Sequence, residues 1–188
     1  MAGMSDPFQS SDLDIRMQSF SSDGVKIAYI DLAPTGDVSQ HRTVVLVHGF
    51  ASSHMTNWVN TQWTKTLTHA GYRVVALDDR GHGESEKLYD PAAYSSDIMA
   101  EDVRRLMDHL DIPRAAVMGY SMGARISAHL ALAHPRRLDA LLLGGRMSPA
   151  MKGTIVDMVR QIAASRLRQR VQNAVYLVAV SSQFNVGR

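Results

Sequence analysis

Gly119-Tyr120-Ser121-Met122-Gly123 (GYSMG) joins the apolar run RAAVMGY (114–120) to a helical stretch, Met122 to His134, that Pro135 stops. A serine on a sharp turn between strand and helix is lifted above the sheet in an unfavourable backbone conformation. Its hydroxyl then sits near the free N–H groups and the positive end of the helix dipole. Gly119 and Gly123 let strand and helix approach closely enough to make that turn. A bare G-x-S-x-G arises by chance in roughly one chain in 15–20 of this length, so the serine needs company before it is read as a nucleophile.

Two further segments supply it. His48-Gly49-Phe50 directly follows the strand TVVLVHG (43–49). Acyl transfer passes through an oxyanion that two backbone N–H groups must meet. One comes from the residue after the nucleophile, here Met122; the other comes from the loop after an earlier strand, where Phe50 is placed. DDRGHGES (78–85) follows the next strand, RVVALDD (73–79), and turns at the same end of the sheet. It reads as scaffold, with Arg80 and the carboxylates in local ion pairs and His82 in a structural role.

The rest of the chain frames these motifs. IRMQSF (15–20) and VKIAYIDL (25–32) alternate around the turn SSDG and predict an antiparallel hairpin at a sheet edge. The four apolar runs ending in TVVLVHG, RVVALDD, RAAVMGY and LDALLLGG (138–145) predict parallel strands buried on both faces. Helices are predicted over Asn57–Ala70, with Gly71 as its C-cap, over Ser95–Leu110 and over Met122–His134. Strands alternating with helices of this length give an α/β class with right-handed crossovers.

HGF, DDRGHGES and GYSMG, in this order and spacing, resemble the α/β-hydrolase superfamily, a likeness that covers residues 14 to about 145. It implies a doubly wound, mostly parallel sheet lacking the family's last strands, Ser121 as nucleophile, and an oxyanion hole from the Phe50 and Met122 amides. A serine distances the chain from the relatives that use aspartate, haloalkane dehalogenases and epoxide hydrolases. It points to esterases, lipases, C–C bond hydrolases and cofactor-free haloperoxidases, hence to a small-molecule acyl substrate cleaved through an acyl-enzyme, with no metal and no cofactor.

The family places its relay acid and then its histidine after the serine. Of the eight histidines, at 41, 48, 54, 69, 82, 109, 129 and 134, only His129 and His134 follow Ser121. Both ride the helix that begins there, about 12 and 20 Å along its axis. Neither serves as the relay histidine, and no acid is assigned: Asp139 stands at the start of a strand and Asp157 has no clear strand before it. The expectation is therefore two parts: residues 1–145, the N-terminal part of an α/β-hydrolase domain, and 146–188, an atypical basic tail. That tail holds seven basic residues against the one acid Asp157. Ile155, Met158, Val159 and Ile162 mark an amphipathic helix in it, and AVYLVAV (174–180) one further strand. The runner-up is a catalytically incomplete fragment or a non-catalytic binding protein of the same fold. A sheet ending at LDALLLGG would expose an apolar edge and favour self-association.

Composition narrows the remaining classes. The 188 residues are 45% hydrophobic and 20% charged with net charge +2, ordinary for a globular domain. The basic bias of the tail has no nucleic-acid motif beside it, so no nucleic-acid partner is expected. No apolar run approaches the roughly 20 residues of a membrane span. Without cysteine or a leader-like start, a cytoplasmic location is expected.

Overall fold

The computed structural model describes residues 15–35, 42–145 and 175–176. Seven strands form one sheet in the order β1-β2-β4-β3-β5-β6-β7: β1 Gln18–Ser22, β2 Val25–Leu32, β3 Arg42–Val47, β4 Tyr72–Leu77, β5 Ala115–Tyr120, β6 Leu138–Gly144 and β7 Val175–Tyr176. The β1–β2 and β2–β4 pairs are antiparallel; β3–β4, β3–β5, β5–β6 and β6–β7 are parallel. The β1–β2 hairpin closes through Asp23 (φ 53) and Gly24 (φ 84), the left-handed pair that a two-residue turn matched to strand twist requires.

Both faces of the sheet are covered, which is why its strands are apolar at successive positions rather than alternating. Val45, Val47, Val75, Leu77 and Val117 pack beneath helices α2 (Ser96–His109) and α3 (Met122–Ala133). Val44, Leu46, Val74 and Ala76 face the other way, against Trp58 and Leu67. The Ser95 hydroxyl caps α2 by accepting from the Ile98 N–H at 3.2 Å. The doubly wound, mostly parallel architecture expected from the sequence is present.

Two expectations are revised. The helix over 57–70 is broken: a π-type turn at Met55–Val59 precedes α1 (Trp63–His69), and Gln62 between them is left-handed (φ 63). Periodicity cannot register one such residue. The β6 edge is also not bare, because β7 pairs with it at Leu141↔Val175 and Leu142↔Tyr176. The amphipathic segment at Ile155–Ile162 lies outside the described residues. Among the described residues no helix is long and apolar enough to cross a membrane.

Candidate functional site

Four parallel strands end at one edge of the sheet, and the loops that follow them meet there. The bend after β5 puts Ser121 at φ 54 and ψ −109, a conformation that side-chain-bearing residues rarely adopt. The bend is pinned on both sides. The Ser121 N–H donates to the Gly144 carbonyl at the end of β6 (2.8 Å), and its carbonyl accepts from the Ala124 N–H (3.1 Å) as α3 begins.

The glycines around the bend are required by contact distance. A Cβ on Gly123 would lie 2.1 Å from the Val47 carbonyl oxygen, and one on Gly119 would lie 2.3 Å from the Gly123 oxygen. Helix α3 therefore starts directly over β3 and β5 with no room for a methyl group.

The HGF loop comes against the same bend. A Cβ on Gly49 would stand 3.4 Å from Ser121 Cβ. The Gly49 N–H donates to Asn57 Oδ1 (2.8 Å), so the turn after the loop braces it. Ala51, two residues beyond Gly49, is also left-handed (φ 53). Phe50 projects outward with 76% of its surface exposed, and Tyr120 is also exposed. Among the described residues, the N–H groups of Phe50 and Met122 donate to no turn, loop or cap carbonyl.

The neighbouring corner, over β4, is made of buried ionisable groups. His48 is fully buried, and its proton is located by its partners. The Asp79 N–H donates to His48 Nε2 (3.0 Å), which leaves Nδ1–H to donate to the Gly49 carbonyl (2.7 Å). Burial depresses its pKa to about 4 against the push of that hydrogen bond, so the ring is neutral near pH 7. Asp78 accepts from the His54 N–H and ring Nδ1–H, both at 2.8 Å, and from the Glu84 N–H at 2.9 Å. Burial alone would raise the Asp78 pKa; the three donors outweigh it and bring it down to about 2. Asp79 differs: its Oδ2 is buried with no hydrogen-bond partner among the described residues. Burial first, then the nearby Asp102 and Asp78 charges, raise its pKa well above the usual carboxylate range.

Arg80 does not pair locally as expected. Its guanidinium bonds both Asp102 oxygens on α2 (2.7 Å each) and the Ala93 carbonyl (3.0 Å), while Ser22 Oγ adds a bond to Asp102 (2.5 Å). The DDRGHGES loop is thus bolted to α2 and to the hairpin turn. His82 hangs from this loop. Its Nδ1–H donates to the Arg80 carbonyl (3.0 Å), and its ring packs edge-on against His48 (5.2 Å) and Phe50 (5.9 Å). Sequence reading missed Asn57, His54 and Asp102, because each acts at a distance that no motif spacing encodes.

Among the described residues no ring nitrogen hydrogen-bonds Ser121. His129 Nδ1 pairs with Asp97 (2.6 Å) and His134 Nε2 with Glu101, both on α2. His54 Nε2 is buried without a partner among the described residues. Asp139 lies at the amino end of β6, 2.8 Å from Arg114 Nε. Among the described residues no group of three or more His, Asp or Glu is placed to hold a metal ion.

Known proteins resemble this chain in sequence and in fold. The chain is 35% identical over 112 residues to a 2-hydroxy-6-oxononadienedioate/2-hydroxy-6-oxononatrienedioate hydrolase of Cupriavidus pinatubonensis, covering 58% of this chain and 38% of the relative. It is 40% identical over 100 residues to the dihydrolipoyllysine-residue acetyltransferase component of the acetoin cleaving system of Pseudomonas putida, covering 53% of this chain and 25% of the relative. The chain thus spans well under half the length of these curated relatives. The crystal structure of a probable hydrolytic enzyme of Pseudomonas aeruginosa superposes with a TM-score of 0.60 at 32% identity, over 73% of this chain and 43% of that one. Epoxide hydrolase A of Mycobacterium thermoresistibile shares the fold, with a TM-score of 0.61 at 24% identity over 76% of this chain and 44% of that one. A family model for the alpha/beta hydrolase fold matches residues 42–179, and with that match the chain belongs to the α/β-hydrolase family.

Proposed function

We propose that this chain carries the nucleophile half of a serine hydrolase acting on ester or related acyl substrates of small molecules. Ser121 attacks the acyl carbon, its carbonyl oxygen becomes an oxyanion, and the Phe50 and Met122 amides receive that charge. The observation that carries the reading is the Ser121 bend at φ 54, with the HGF loop packed against it. Strain of this kind costs on the order of 1–3 kcal/mol and persists where the surroundings over-determine it, as the glycine contacts here do. The hydrolase named for a dioate among the relatives makes C–C bond hydrolysis the neighbouring alternative within the same chemistry.

A second reading is favoured by the histidine accounting: a catalytically incomplete protein of the same fold. Among the described residues no imidazole nitrogen hydrogen-bonds Ser121, and His48, His54, His82, His129 and His134 each have a ring nitrogen bonded to another partner, which supports a serine without its relay base among these residues. Loss of that base costs on the order of 10⁶ in turnover, while an oxyanion hole alone leaves ~10³-fold catalysis over water. The test is hydrolysis of p-nitrophenyl acetate by the chain and by Ser121→Ala. Slow turnover that vanishes in the variant supports the nucleophile. Residual turnover equal in both proteins supports the incomplete reading and removes Ser121 from the chemistry.

A further inference from the structure

Arg125 lies one helical turn beyond Ser121, and its N–H donates to the Ser121 carbonyl at 3.3 Å. Residues four apart share a helix face, and helical side chains lean toward the amino terminus of their helix. On these rules Arg125 belongs to the helix face that begins at Ser121, with its side chain directed toward the amino end of α3. Nothing among the described residues claims its charge. Its Nε is buried without a hydrogen-bond partner, and among the described residues no carboxylate forms an ion pair with it. The acid facing this stripe of α3 is Asp97 on α2, and that carboxylate is bonded to His129, one turn further along. The residues flanking α3's stripe are otherwise Gly123, Ala124, Ile126, Ser127 and Ala128, all buried and uncharged.

A half-buried guanidinium left unpaired is costly unless an anion arrives to meet it. Its planar fork suits a carboxylate, which accepts two parallel N–H bonds from it. The helix dipole at the start of α3 adds to the same preference for negative charge.

We propose that Arg125 is an anion subsite of the Ser121 site and that the substrate's acyl portion carries a carboxylate. The inference rests on the nucleophile reading above and deepens it. Phenylboronic acid and 3-carboxyphenylboronic acid separate the two, because both add reversibly to a nucleophilic serine and only one bears the carboxylate. Titration calorimetry on the full chain is expected to show the carboxylated probe binding about 10-fold tighter or better. Arg125→Met collapses that ratio to about one, and Arg125→Lys keeps part of it. Equal binding of the two probes by the unsubstituted chain, or a ratio that survives Arg125→Met, overturns the anion subsite while leaving the serine reading in place. Binding of neither probe overturns both.

Discussion

At the carboxyl edge of the sheet, the corner over β3 and β5 is held by backbone, whereas the corner over β4 is held by buried charge. In the first, the Ser121 bend is enclosed by Gly119 and Gly123, whose contacts are too close for any side chain, and Gly49 of the HGF loop packs tightly against it. In the second, His48, His54, Asp78, Arg80 and Asp102 are fixed by side-chain hydrogen bonds between segments far apart in the chain. The two corners meet at His48 and Gly49, where the charged corner's imidazole holds the carbonyl of the first corner's loop. The lesson is a division of labour: steric exclusion sets the bend at the serine, and an electrostatic frame holds the loop that faces it.

Substitutions that attack each corner by its own mechanism separate the two. The largest effect belongs to Gly123→Ala, whose new methyl would lie 2.1 Å from the Val47 oxygen with only backbone to yield. No folded, soluble protein is expected from it, as read by circular dichroism. A cooperative unfolding transition near that of the unsubstituted chain would break the steric account of the bend.

Arg80→Met comes next. It strands the Asp102 carboxylate, 1% exposed, without its bidentate partner. Breaking a buried pair from one side costs about 3–5 kcal/mol, visible as a lower urea midpoint. The double variant with Asp102→Leu recovers much of that loss, because no uncompensated charge remains. A double variant as unstable as the single would mean that the loop is held by something else.

Acid sharpens the comparison, since only the charged corner titrates. The His48 pKa falls from 6.5 to about 4 on folding, so its neutral burial stabilises fully above 6.5 and is lost as pH drops toward 4, a contribution of about 3 kcal/mol. The Asp78 pKa falls from 3.8 to about 2, so its stabilisation holds above 3.8 and is lost as pH drops through about 2, a further contribution of about 2 kcal/mol. Asp79 works against the first of these, because a carboxyl that folding keeps protonated gains stability as pH falls from neutrality. In Asp79→Asn, which removes that contribution, denaturant midpoints should decline in the two successive windows, and a midpoint flat from pH 7 to 4 in that variant would contradict the buried, neutral His48.

Legibility in the sequence follows the same division. GYSMG, HGF and SSDG act through backbone geometry that glycine and turn chemistry announce locally, and the structure places them at a strand-to-helix bend, a strand-end loop and a two-residue hairpin turn. The four apolar runs announce their own burial, since a strand covered on both faces has no polar positions to alternate with. What stayed hidden depends on partners brought together by the fold. Arg80 was expected to pair within its own loop, yet its acid is Asp102, 22 residues away on α2. The break at Gln62 was hidden because a single left-handed residue leaves the apolar spacing of 57–70 nearly intact. The division after residue 145 stays an expectation that nothing in the described residues tests, and the helix over Ile155–Ile162 lies outside them.

The smallest expected effect probes the strain at the serine. Ser121→Gly accepts φ 54 without a side-chain clash, but it also gains freedom in the unfolded chain. The two nearly offset, and stability should rise by no more than about 1 kcal/mol. A loss of several times that would mean that Ser121 is held by contacts of its side chain rather than tolerated against its own preference.

The account turns on whether the Ser121 hydroxyl is a nucleophile in this chain. Incubation with a fluorophosphonate, followed by intact-mass measurement and peptide mapping, reads this directly. One adduct per chain on the peptide that carries Ser121, absent from Ser121→Ala, is the predicted result. An unmodified chain after prolonged exposure, or an adduct mapped to any other residue, would contradict it.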